Sequence, residues 1–390
     1  MKEQIAPYID KIAPELVEMA DFIFDNPEVG NKEYKACDLL CAAFAKQGFS
    51  VEKGVGGLDT AFRATYEQGS GGPTIGILVE YDALEKQGHA CGHHMQGPTG
   101  YGAALALRES VKEQPYKLVV YGTPAEETTS GKITMMKNGC FQELDVALMT
   151  HANPGTGIDV KSMAAIKYTV TFHGIAAHAA LKPEFGRSAF DALLLSFQGV
   201  EFLREHVPDD TRIHYTVLDA GGPANSVPAK AVGSFYVRSY NPVKLYDIAK
   251  RFEKVMQGAA MMTETTVDIH IDKELKGKIP CYVLNDLAMN NAAEFGLTNL
   301  QPPREKTGST DFGVVMFDIP GTCLRVDFVP VGTASHSQEY LEAGKGLTAA
   351  KAVTDGAKAI AGMCYDLVMQ DGLIEKIKTD FNNNKAAAAK

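Results

Sequence analysis

The fold is decided by the stretch from Thr74 to Leu107, which reads TIGILVEYDALEKQGHACGHHMQGPTGYGAALAL. An apolar strand-forming run comes first, a glycine-punctuated loop rich in histidine follows, and a helical segment of small residues ends the stretch. A continuous apolar strand of this kind is typical of a parallel sheet covered by helices on both faces. Such sheets bind ligands beyond the carboxyl ends of their strands, and the histidine-rich loop falls at that edge.

The same alternation of strand and helix extends along the chain. Strand signals near 117–123 (KLVVYGT) and 146–150 (VALMT) alternate with helical signals near 131–138 and 340–370, whereas residues 161–275 follow the βαββαβ order of a split ferredoxin-like module. A chain of 390 residues also exceeds one ordinary core. We therefore expect a mostly parallel α/β domain split between residues 1–160 and 276–390, with an α+β domain inserted at 161–275. The tail NNNKAAAAK (382–390) is expected to fray.

Composition narrows the class of protein. The chain is 45% hydrophobic and 22% charged, with a formal net charge of −10. Its basic residues are scattered, which argues against nucleic acid, and no apolar run approaches the roughly 18–20 residues of a membrane span. The first residues lack a signal-peptide core, and the seven cysteines are an odd, thinly spread set that favours reduced thiols. We expect a cytoplasmic protein that acts on a small molecule, away from nucleic acid and membranes.

Two neighbouring loops carry residues of the kind that bind metals. In GHACGHHMQG, Cys91 and His93 could supply a thiolate and an imidazole to one ion, although a chance cluster of buried polar groups would look the same. In GTPAEETTSG, Glu126 and Glu127 directly follow another apolar strand. A metal site would use one carboxylate as a ligand and the other as a general base, whereas a solvated helix N-terminus would also favour the pair.

Two further histidines strengthen the metal interpretation. His151 ends a third apolar strand in VALMTHANPG, and His336 lies in GTASHSQEY, ahead of the last long helix. Three consecutive core strands that each end in ligand-type residues are rarely a coincidence. The set suits one or two divalent ions and a bound hydroxide. A thiolate favours Zn²⁺, and the nitrogen and oxygen donors would also accept Mn²⁺ or Co²⁺.

Taken in order with HGIAAHAA, NSVP and GSTDFG, these motifs resemble metallopeptidase family 20, the aminoacylase/carboxypeptidase G superfamily. The similarity covers nearly the whole chain and is strongest to the branch of auxin-conjugate and aminobenzoyl-glutamate hydrolases, subfamily D. The resemblance implies that Glu126 is the catalytic glutamate. It also implies a set of metal ligands: Cys91, His93, Glu127, His151 and His336.

The resemblance further implies that the inserted domain is a lid and dimerisation domain, so that the protein is a homodimer. His178, in HGIAAHAA, would reach across the dimer to polarise the scissile carbonyl. Asn225, in NSVP, and Arg238, in FYVRSY, would bind the oxyanion and the substrate carboxylate. Arg238 could instead be an ordinary salt-bridge residue of its strand.

Four positions depart from the family pattern or lie beside it. His94 stands where aspartate or asparagine is usual, and could be an additional ligand. Glu80 lies where the wider superfamily has a metal-binding histidine, so Asp82 is expected to act through a ligand rather than as one. Asp311 is expected to shape the pocket.

The predicted function is metal-dependent hydrolysis of an amide bond in N-acyl amino acids or small peptides. A metal-activated water would attack the carbonyl, with Glu126 as general base and then general acid. One alternative is a dipeptidase or carboxypeptidase of the β-alanyl-dipeptide or aminobenzoyl-glutamate type. A non-catalytic metal- or peptide-binding protein is disfavoured, since binding alone does not need a base beside a ligand.

Overall fold

The computed structural model describes residues 2–389 and divides them into two compact units. The first unit combines residues 2–161 with Lys278–Ala386, and the second consists of Ser162–Gly277 with residues 387–389. In the chain, the second unit therefore interrupts the first. Among the described residues, the first unit contains two clusters of buried apolar side chains and the second unit contains one.

The described residues form twelve strands and eleven α-helices. The strands are β1 (Ser50–Lys53), β2 (Phe62–Gln68), β3 (Thr74–Val79), β4 (Tyr116–Gly122), β5 (Val146–Asn153), β6 (Gly157–Ser162), β7 (Ala164–His173), β8 (Arg212–Asp219), β9 (Lys230–Ser239), β10 (Thr266–Leu275), β11 (Arg304–Thr307) and β12 (Gly321–Asp327). The helices are α1 (Ile5–Asp25), α2 (Tyr34–Lys46), α3 (Gln96–Ser110), α4 (Gly131–Lys137), α5 (Ala189–Arg204), α6 (Pro242–Met262), α7 (Tyr282–Glu294), α8 (Phe312–Asp318), α9 (Gln338–Glu342), α10 (Leu347–Met369) and α11 (Leu373–Ala388).

The sheet of the first unit has eight strands in the order β1-β2-β4-β3-β5-β12-β6-β11. Its four central strands, β4, β3, β5 and β12, are parallel, but β2 runs antiparallel to β4 and β6 runs antiparallel to β12. The sheet is thus mixed, and the expectation of a mostly parallel sheet holds only at its centre. There, Ile77 lies opposite Val120 on one side and Leu148 on the other, and all three are buried.

Close packing explains the small residues that follow the histidine-rich loop. Helix α3 is buried along nearly its whole length, and at Gly100 a Cβ would lie only 2.6 Å from Val79 Cγ1. The glycine therefore lets the helix approach β3 closely. Because the helix begins at Gln96, its contact with the sheet also fixes the loop that precedes it.

The second unit follows the order β7-α5-β8-β9-α6-β10, and its four strands are arranged β10-β7-β9-β8. All of its strand pairs are antiparallel, which is the arrangement of a ferredoxin-like module. Both helices begin at capping side chains. Ser188 Oγ accepts a hydrogen bond from Asp191 N, and Asn241 Oδ1 accepts from Val243 N and Lys244 N.

The carboxyl-terminal tail is helical, contrary to the expected fraying. Helix α11 continues to Ala388 because Ile377 and Phe381 are buried in the core and Asn384 Nδ2 donates to Pro280 O at 3.1 Å. Lys390 lies outside the described residues. None of the helices between residues 2 and 389 is both long and apolar enough to cross a membrane.

Candidate metal centre

The loop after β3 places Cys91 and His93 on either side of one glycine. Gly92 has φ 82°, in the left-handed region, and a Cβ at this position would lie 2.9 Å from Ala152 Cβ. A side chain there would be both strained and crowded, so glycine is required between the two donors. His93 begins a single turn of 3₁₀-helix that leads into α3.

The two glutamates lie in a tight turn after β4. Ala125, just before them, has φ 63°, and its N–H donates to Glu33 Oε1 at 2.8 Å. Glu33 is fully buried, so the turn is anchored from inside the protein. The N–H of Glu127 donates to Asp82 Oδ2 at 3.0 Å, which ties the glutamate turn to the loop after β3.

His336 comes from the carboxyl-terminal segment and is held in an unusual backbone conformation. Its φ is 62°, in the left-handed region, a conformation that costs a non-glycine residue free energy. The N–H of His336 donates to Ala90 O at 3.0 Å, and Gln87 Nε2 donates to the carbonyl of His336 at 2.9 Å. These contacts bring its Nε2 to 3.1 Å from Glu127 Oε1.

Two sets of three donors meet at Cys91. The donor atoms of Cys91, His93 and His151 lie within 4.8 Å of one another, and so do those of Cys91, Glu127 and His336. Cys91 Sγ lies 3.7 Å from His151 Nε2. Two ligands of a tetrahedral zinc, bound at about 2.0–2.3 Å, are separated by roughly 3.3–3.8 Å, so this spacing fits. Sulfur, nitrogen and carboxylate donors of this kind would suit divalent metal ions.

The imidazole of His93 is oriented by Asp82. Its Nδ1 lies 3.0 Å from Asp82 Oδ1, which leaves Nε2 to face the centre. Burial alone would lower the pKa of His93, but Cys91, Glu80 and Asp82 together raise it well above its usual value. A carboxylate behind a metal-binding histidine fixes the ring and increases its basicity as a ligand. Asp82 thus contacts the ring of His93 and belongs to neither set of donors that contains Cys91, which is the geometry that an indirect role would need.

Burial also shifts the pKa values of the other two donors of this set, Cys91 and His151. It raises the pKa of the Cys91 thiol to about 12 and lowers the pKa of His151 to about 3, with the charge of Arg325 adding to the effect on the histidine. His151 is thus neutral, as a ligand must be. The thiol would lose its proton on binding a cation, because the cation compensates for the desolvation of the thiolate.

The carboxyl group of Glu126 lies between the donor centre and a buried ion-pair network. It is within 4.8 Å of His93 and Glu127 on one side and of Glu80 and Asp311 on the other. Burial, Asp311 and Glu80 raise its pKa to about 8. The carboxyl can therefore both accept and release a proton near neutral pH.

Comparison with known proteins identifies the family. Residues 71–362 match the family model described as Peptidase family M20/M25/M40. The chain belongs to this peptidase family. Members hydrolyse amide or peptide bonds, and this protein is accordingly an amide- or peptide-bond hydrolase. Its clustered sulfur, nitrogen and oxygen donors suit metal-dependent hydrolysis.

Individual relatives cover almost the whole chain. A p-aminobenzoyl-glutamate hydrolase polypeptide of Escherichia coli (strain K12) is 30% identical over 440 residues, which span 93% of this chain and 91% of the relative. The Xaa-Arg dipeptidase of Mus musculus is 31% identical over 403 residues, spanning 98% and 92%. A Bacillus subtilis structure described as a dinuclear metal-binding peptidase of the M20 family shares the fold, with a TM-score of 0.73, 18% identity and 92% and 99% coverage.

The M20 chain places three other predicted site residues in its second unit. His178 is exposed and forms a bridge with Ser226, and the N–H of Ala179 donates to Asn225 O at 3.1 Å, so His178 and Asn225 belong to adjoining loops. Asn225 precedes β9, whereas Arg238 lies near the carboxyl end of this strand. The guanidinium of Arg238 lies 4.4 Å from the centre of the Tyr236 ring. Among the residues from 2 to 389, none accepts a hydrogen bond from its buried Nε.

The open question about His94 is answered by its contacts in this M20 protein. Its Nε2 lies 2.7 Å from Gly344 O, and its ring packs edge-on against Phe24 at 5.0 Å. His94 thus stabilises the loop instead of joining either set of three donors.

Lys132, a buried residue beside the site at the start of α4, was not anticipated from the sequence. Its Nζ is fully buried between Glu80 Oε1 at 2.5 Å and Asp311 Oδ1 at 2.7 Å. Burial would raise the pKa of Glu80, but Lys132 and His93 lower it well below its usual value. Gln96 Nε2 donates to Glu80 Oε2 at 2.7 Å, so both oxygens of Glu80 have partners. One signal in the sequence could have indicated such a lysine. Several carboxylates follow the strands of one sheet edge, and a buried cation is needed to offset their charge.

Proposed function

We propose that this protein hydrolyses the amide bond of N-acyl amino acids or short peptides, with Glu126 as general base and then general acid. The observation that carries the proposal is that the two adjacent glutamates occupy different positions relative to the donor sets. Glu127 lies with Cys91 and His336 in one set of donors, whereas the carboxyl of Glu126 lies beside His93 and Glu127 without joining either set that contains Cys91. A base within reach of a metal centre is what hydrolysis needs and what simple binding does not.

The donors would hold two divalent ions, Zn²⁺ or Mn²⁺, with Co²⁺ also accommodated. Cys91, His93 and His151 would hold one ion, and Cys91, Glu127 and His336 the other. When bound, such ions would lower the pKa of a water molecule to about 7 and polarise the amide carbonyl. The dinuclear character of the Bacillus subtilis relative supports a pair of ions.

Glu126 would move the proton. Its carboxylate would accept a proton from the attacking water and then deliver it to the nitrogen of the departing amine. Burial and the neighbouring carboxylates of Glu80 and Asp311 favour the protonated form, while cations at the donor centre would favour the carboxylate. Because these two effects oppose each other, the carboxyl group of Glu126 could accept a proton and release it again within one turnover.

The two parts of the chain would have different tasks. Residues 1–160 and 276–390 would form the catalytic domain, and residues 161–275 a lid and dimerisation domain of a cytoplasmic homodimer. His178 and Asn225 would stabilise the oxyanion, a contribution of about 3 kcal/mol per donor. Arg238, whose Nε has no acceptor within the described chain, would bind the free carboxylate of the substrate.

A dipeptidase or carboxypeptidase activity is the second candidate. The similarity to an Xaa-Arg dipeptidase at 31% identity favours it, as the similarity to a p-aminobenzoyl-glutamate hydrolase favours cleavage of an acyl–glutamate bond. All of these reactions break an amide bond next to a free carboxylate, so the same donors and base would serve each. A panel of acyl-amino acids, dipeptides and aminobenzoyl-glutamate would rank them.

The decisive experiment is Glu126→Gln in metal-loaded protein. Turnover of every substrate in the panel should fall by a factor of about 10²–10⁴, because the amide cannot accept the proton. Metal content, measured by elemental analysis, should equal that of the wild type. Glu85→Gln, an exposed position in the loop after β3, is the matched control and should retain activity. An active Glu126→Gln protein would overturn the assignment.

A further inference from the structure

The α1–α2 segment, residues 26–33, carries a buried carboxyl group that takes no direct part in the proposed reaction. We propose that this residue, Glu33, is a positioning residue, which holds the turn that carries Glu126 and Glu127 through a hydrogen bond to the backbone of Ala125. The inference rests on the proposed amide hydrolysis and adds to it a residue that acts through the catalytic glutamate and its neighbour.

Glu33 does not perform the task that its place in the chain suggests. It immediately precedes α2, a position from which side chains commonly cap a helix, yet its side chain accepts no capping hydrogen bond. Glu28 caps the helix instead, since its Oε2 accepts from Lys35 N at 2.8 Å and from Ala36 N at 3.2 Å. The carboxyl group of Glu33 is directed into the protein, toward a turn that lies about ninety residues further along the chain.

The carboxyl group of Glu33 is fully buried and accepts two hydrogen bonds. Thr60 Oγ1 donates to its Oε2 at 2.8 Å, and Ala125 N donates to its Oε1 at 2.8 Å. In the described part of the chain, no basic side chain forms an ion pair with Glu33. Burial of a carboxyl group without a cation is costly, and it raises the pKa of Glu33. The contact with Ala125 is thus one of the two that compensate for this cost.

The turn that begins at Ala125 depends on a partner outside itself. Ala125 has φ 63°, a left-handed conformation that costs a non-glycine residue free energy. Its carbonyl accepts from Ser130 N at 2.7 Å, which closes the turn, whereas its N–H donates to Glu33. Without that acceptor, a buried N–H would be unsatisfied and the backbone could relax. Glu126 and Glu127 directly follow and would move with it.

Two other residues of the α1–α2 segment contact the same turn. Asn31 Nδ2 donates to Thr129 Oγ1 at 2.8 Å. A Cβ at Gly30 would lie 2.1 Å from Thr128 Oγ1, so the two backbones approach closely here. The segment therefore packs against the glutamate turn at several points, and Glu33 supplies the contact that is buried.

The α1–α2 segment also contacts the loop after β3, which carries Cys91 and His93. Ala83 N donates to Glu28 O at 2.8 Å, and Ala83 forms a parallel bridge with Val29. One short segment therefore touches both loops that supply donors to the centre. Through these contacts it fixes the position of the glutamate turn relative to the loop that precedes α3.

A small displacement of the turn is enough to slow the reaction. Proton transfer requires the carboxyl group of Glu126 to lie within about 2.6–3.2 Å of the attacking water. A misplacement of about 1 Å can reduce the rate by a factor of about 10². Loss of the contact to Ala125 should therefore lower kcat more than it changes KM.

The proposal is tested with variants of Glu33 in metal-loaded full-length protein, with the panel of acyl-amino acids, dipeptides and aminobenzoyl-glutamate as substrates. Glu33→Met keeps the size of the side chain but removes the acceptor, so kcat should fall by a factor of about 10–100 while KM changes by less than about threefold. Glu33→Gln retains an oxygen for Ala125 N and should keep kcat within about fivefold of the wild type.

Glu33→Asp decides the question if Glu33→Met does not fold. This variant keeps the carboxyl group but shortens its reach by one methylene group, so the bond to Ala125 N is weakened while the site stays polar. Its kcat should lie between those of Glu33→Gln and Glu33→Met, about 5–20-fold below the wild type. A wild-type kcat in Glu33→Asp together with one in Glu33→Met, or in Glu33→Asp alone if the other variant is unfolded, would overturn the proposal.

Thr322→Val is the control for a general loss of stability. It removes a buried hydrogen bond of the same unit, from Thr322 Oγ1 to Asn285 Oδ1 at 2.7 Å, which is not part of the glutamate turn. Urea denaturation should show that Thr322→Val and Glu33→Met are both less stable than the wild type, but only Glu33→Met should have a lower kcat. Equal losses of kcat in the two variants would show that stability is the cause and would refute positioning.

The left-handed conformation of Ala125 provides a readout that a purely structural role would not change. Glycine adopts this conformation without the steric cost, so Ala125→Gly introduced into Glu33→Met should raise kcat by about fivefold. The turn would then depend less on its partner at Glu33. Absence of any recovery would show that the loss in Glu33→Met does not arise at the turn, and the proposal would be wrong.

Hydrogen exchange distinguishes this proposal from the proposed function. The amides of residues 123–130, followed by mass spectrometry in the metal-loaded protein, should exchange faster in Glu33→Met than in the wild type or in Thr322→Val. If no amide substrate is hydrolysed but this difference is found, the hydrolytic proposal fails, whereas Glu33 still holds the turn. If substrates are hydrolysed and either the exchange or the kcat of Glu33→Met equals that of the wild type, the positioning role is wrong.

Discussion

Lys132 and Asp311 form a fully buried ion pair, with 2.7 Å between Lys132 Nζ and Asp311 Oδ1, although 179 residues separate them in the chain. The same ammonium contacts Glu80 at the end of β3. One lysine therefore joins the amino-terminal and carboxyl-terminal segments of the first unit at the wall behind Glu126. The positive charge of Lys132 offsets part of the negative charge of the two carboxylates.

Lys132→Met should destabilise the first unit strongly. Removing one partner of a buried pair leaves uncompensated charge and costs about 3–5 kcal/mol, and here two carboxylates lose their cation. The midpoint of urea denaturation, followed by circular dichroism, should fall accordingly. Lys137→Met, an exposed position in the same helix, is the control and should stay close to the wild type. Equal midpoints for the two variants would contradict a structural role for the network.

Loss of different donors should change the metal content in different ways. After chelation and reconstitution, the wild type should contain about two ions per chain, whereas His151→Ala and His336→Ala should each contain about one. Cys91→Ser should lose more metal than either, because both sets of donors share its sulfur. Elemental analysis after desalting provides the measurement, and full metal content in Cys91→Ser would refute a shared thiolate.

The ion pairs of Asp159 predict a contribution to acid stability. Burial opposes ionisation, but Arg325 and Arg304 lower the pKa of Asp159 from 3.8 to about 2. A carboxyl group with a lowered pKa stabilises the folded state above pH 4 and loses this contribution as the pH falls toward 2. The difference in unfolding free energy between the wild type and Asp159→Asn should therefore shrink by about 2 kcal/mol between pH 5 and pH 2. A constant difference across this range would show that the charge of Asp159 is not the cause.

If His178 acts on the active site of a partner subunit, two inactive variants should complement each other. Glu126→Gln and His178→Ala chains, refolded together, should recover about one quarter of the wild-type activity, since half of the dimers are mixed and each has one intact site. Each variant refolded alone provides the baseline. The absence of any recovery in a mixture that contains dimers would place His178 in the site of its own chain.

The sequence predicted well those features that follow from local pattern. Apolar runs located the central strands, and because parallel strands end at a common edge, Cys91, His93, Glu127 and His151 could be expected to converge. His336 was a candidate because of its loop ahead of the last long helix, and the resemblance added it to the set of metal ligands. The structure brings all five donors together, while their roles as ligands stay predictions.

Features that depend on tertiary contacts were missed. The segment around Lys132 looks like an exposed helix start, because lysine is rarely buried and nothing local indicates its partners. The asparagine- and alanine-rich tail has no strong pattern of its own, and contacts such as that of Asn384 with Pro280 stabilise it as a helix. The antiparallel strands at the edges of the sheet were also missed. Their direction depends on the order of strands in the sheet, and the alternation of apolar and polar residues along a strand does not reveal that order.

The position of β12 has a consequence for the order of events during synthesis on the ribosome. This strand lies between β5 and β6 in the sheet, yet it is translated after Ser162–Gly277, which form nearly all of the second unit. The second unit can therefore fold while the first still lacks a central strand, and the donor centre cannot form until His336 has left the exit tunnel. In a nascent chain stalled before β12, the second unit would be folded, whereas the first unit, whose synthesis began earlier, would still be incomplete.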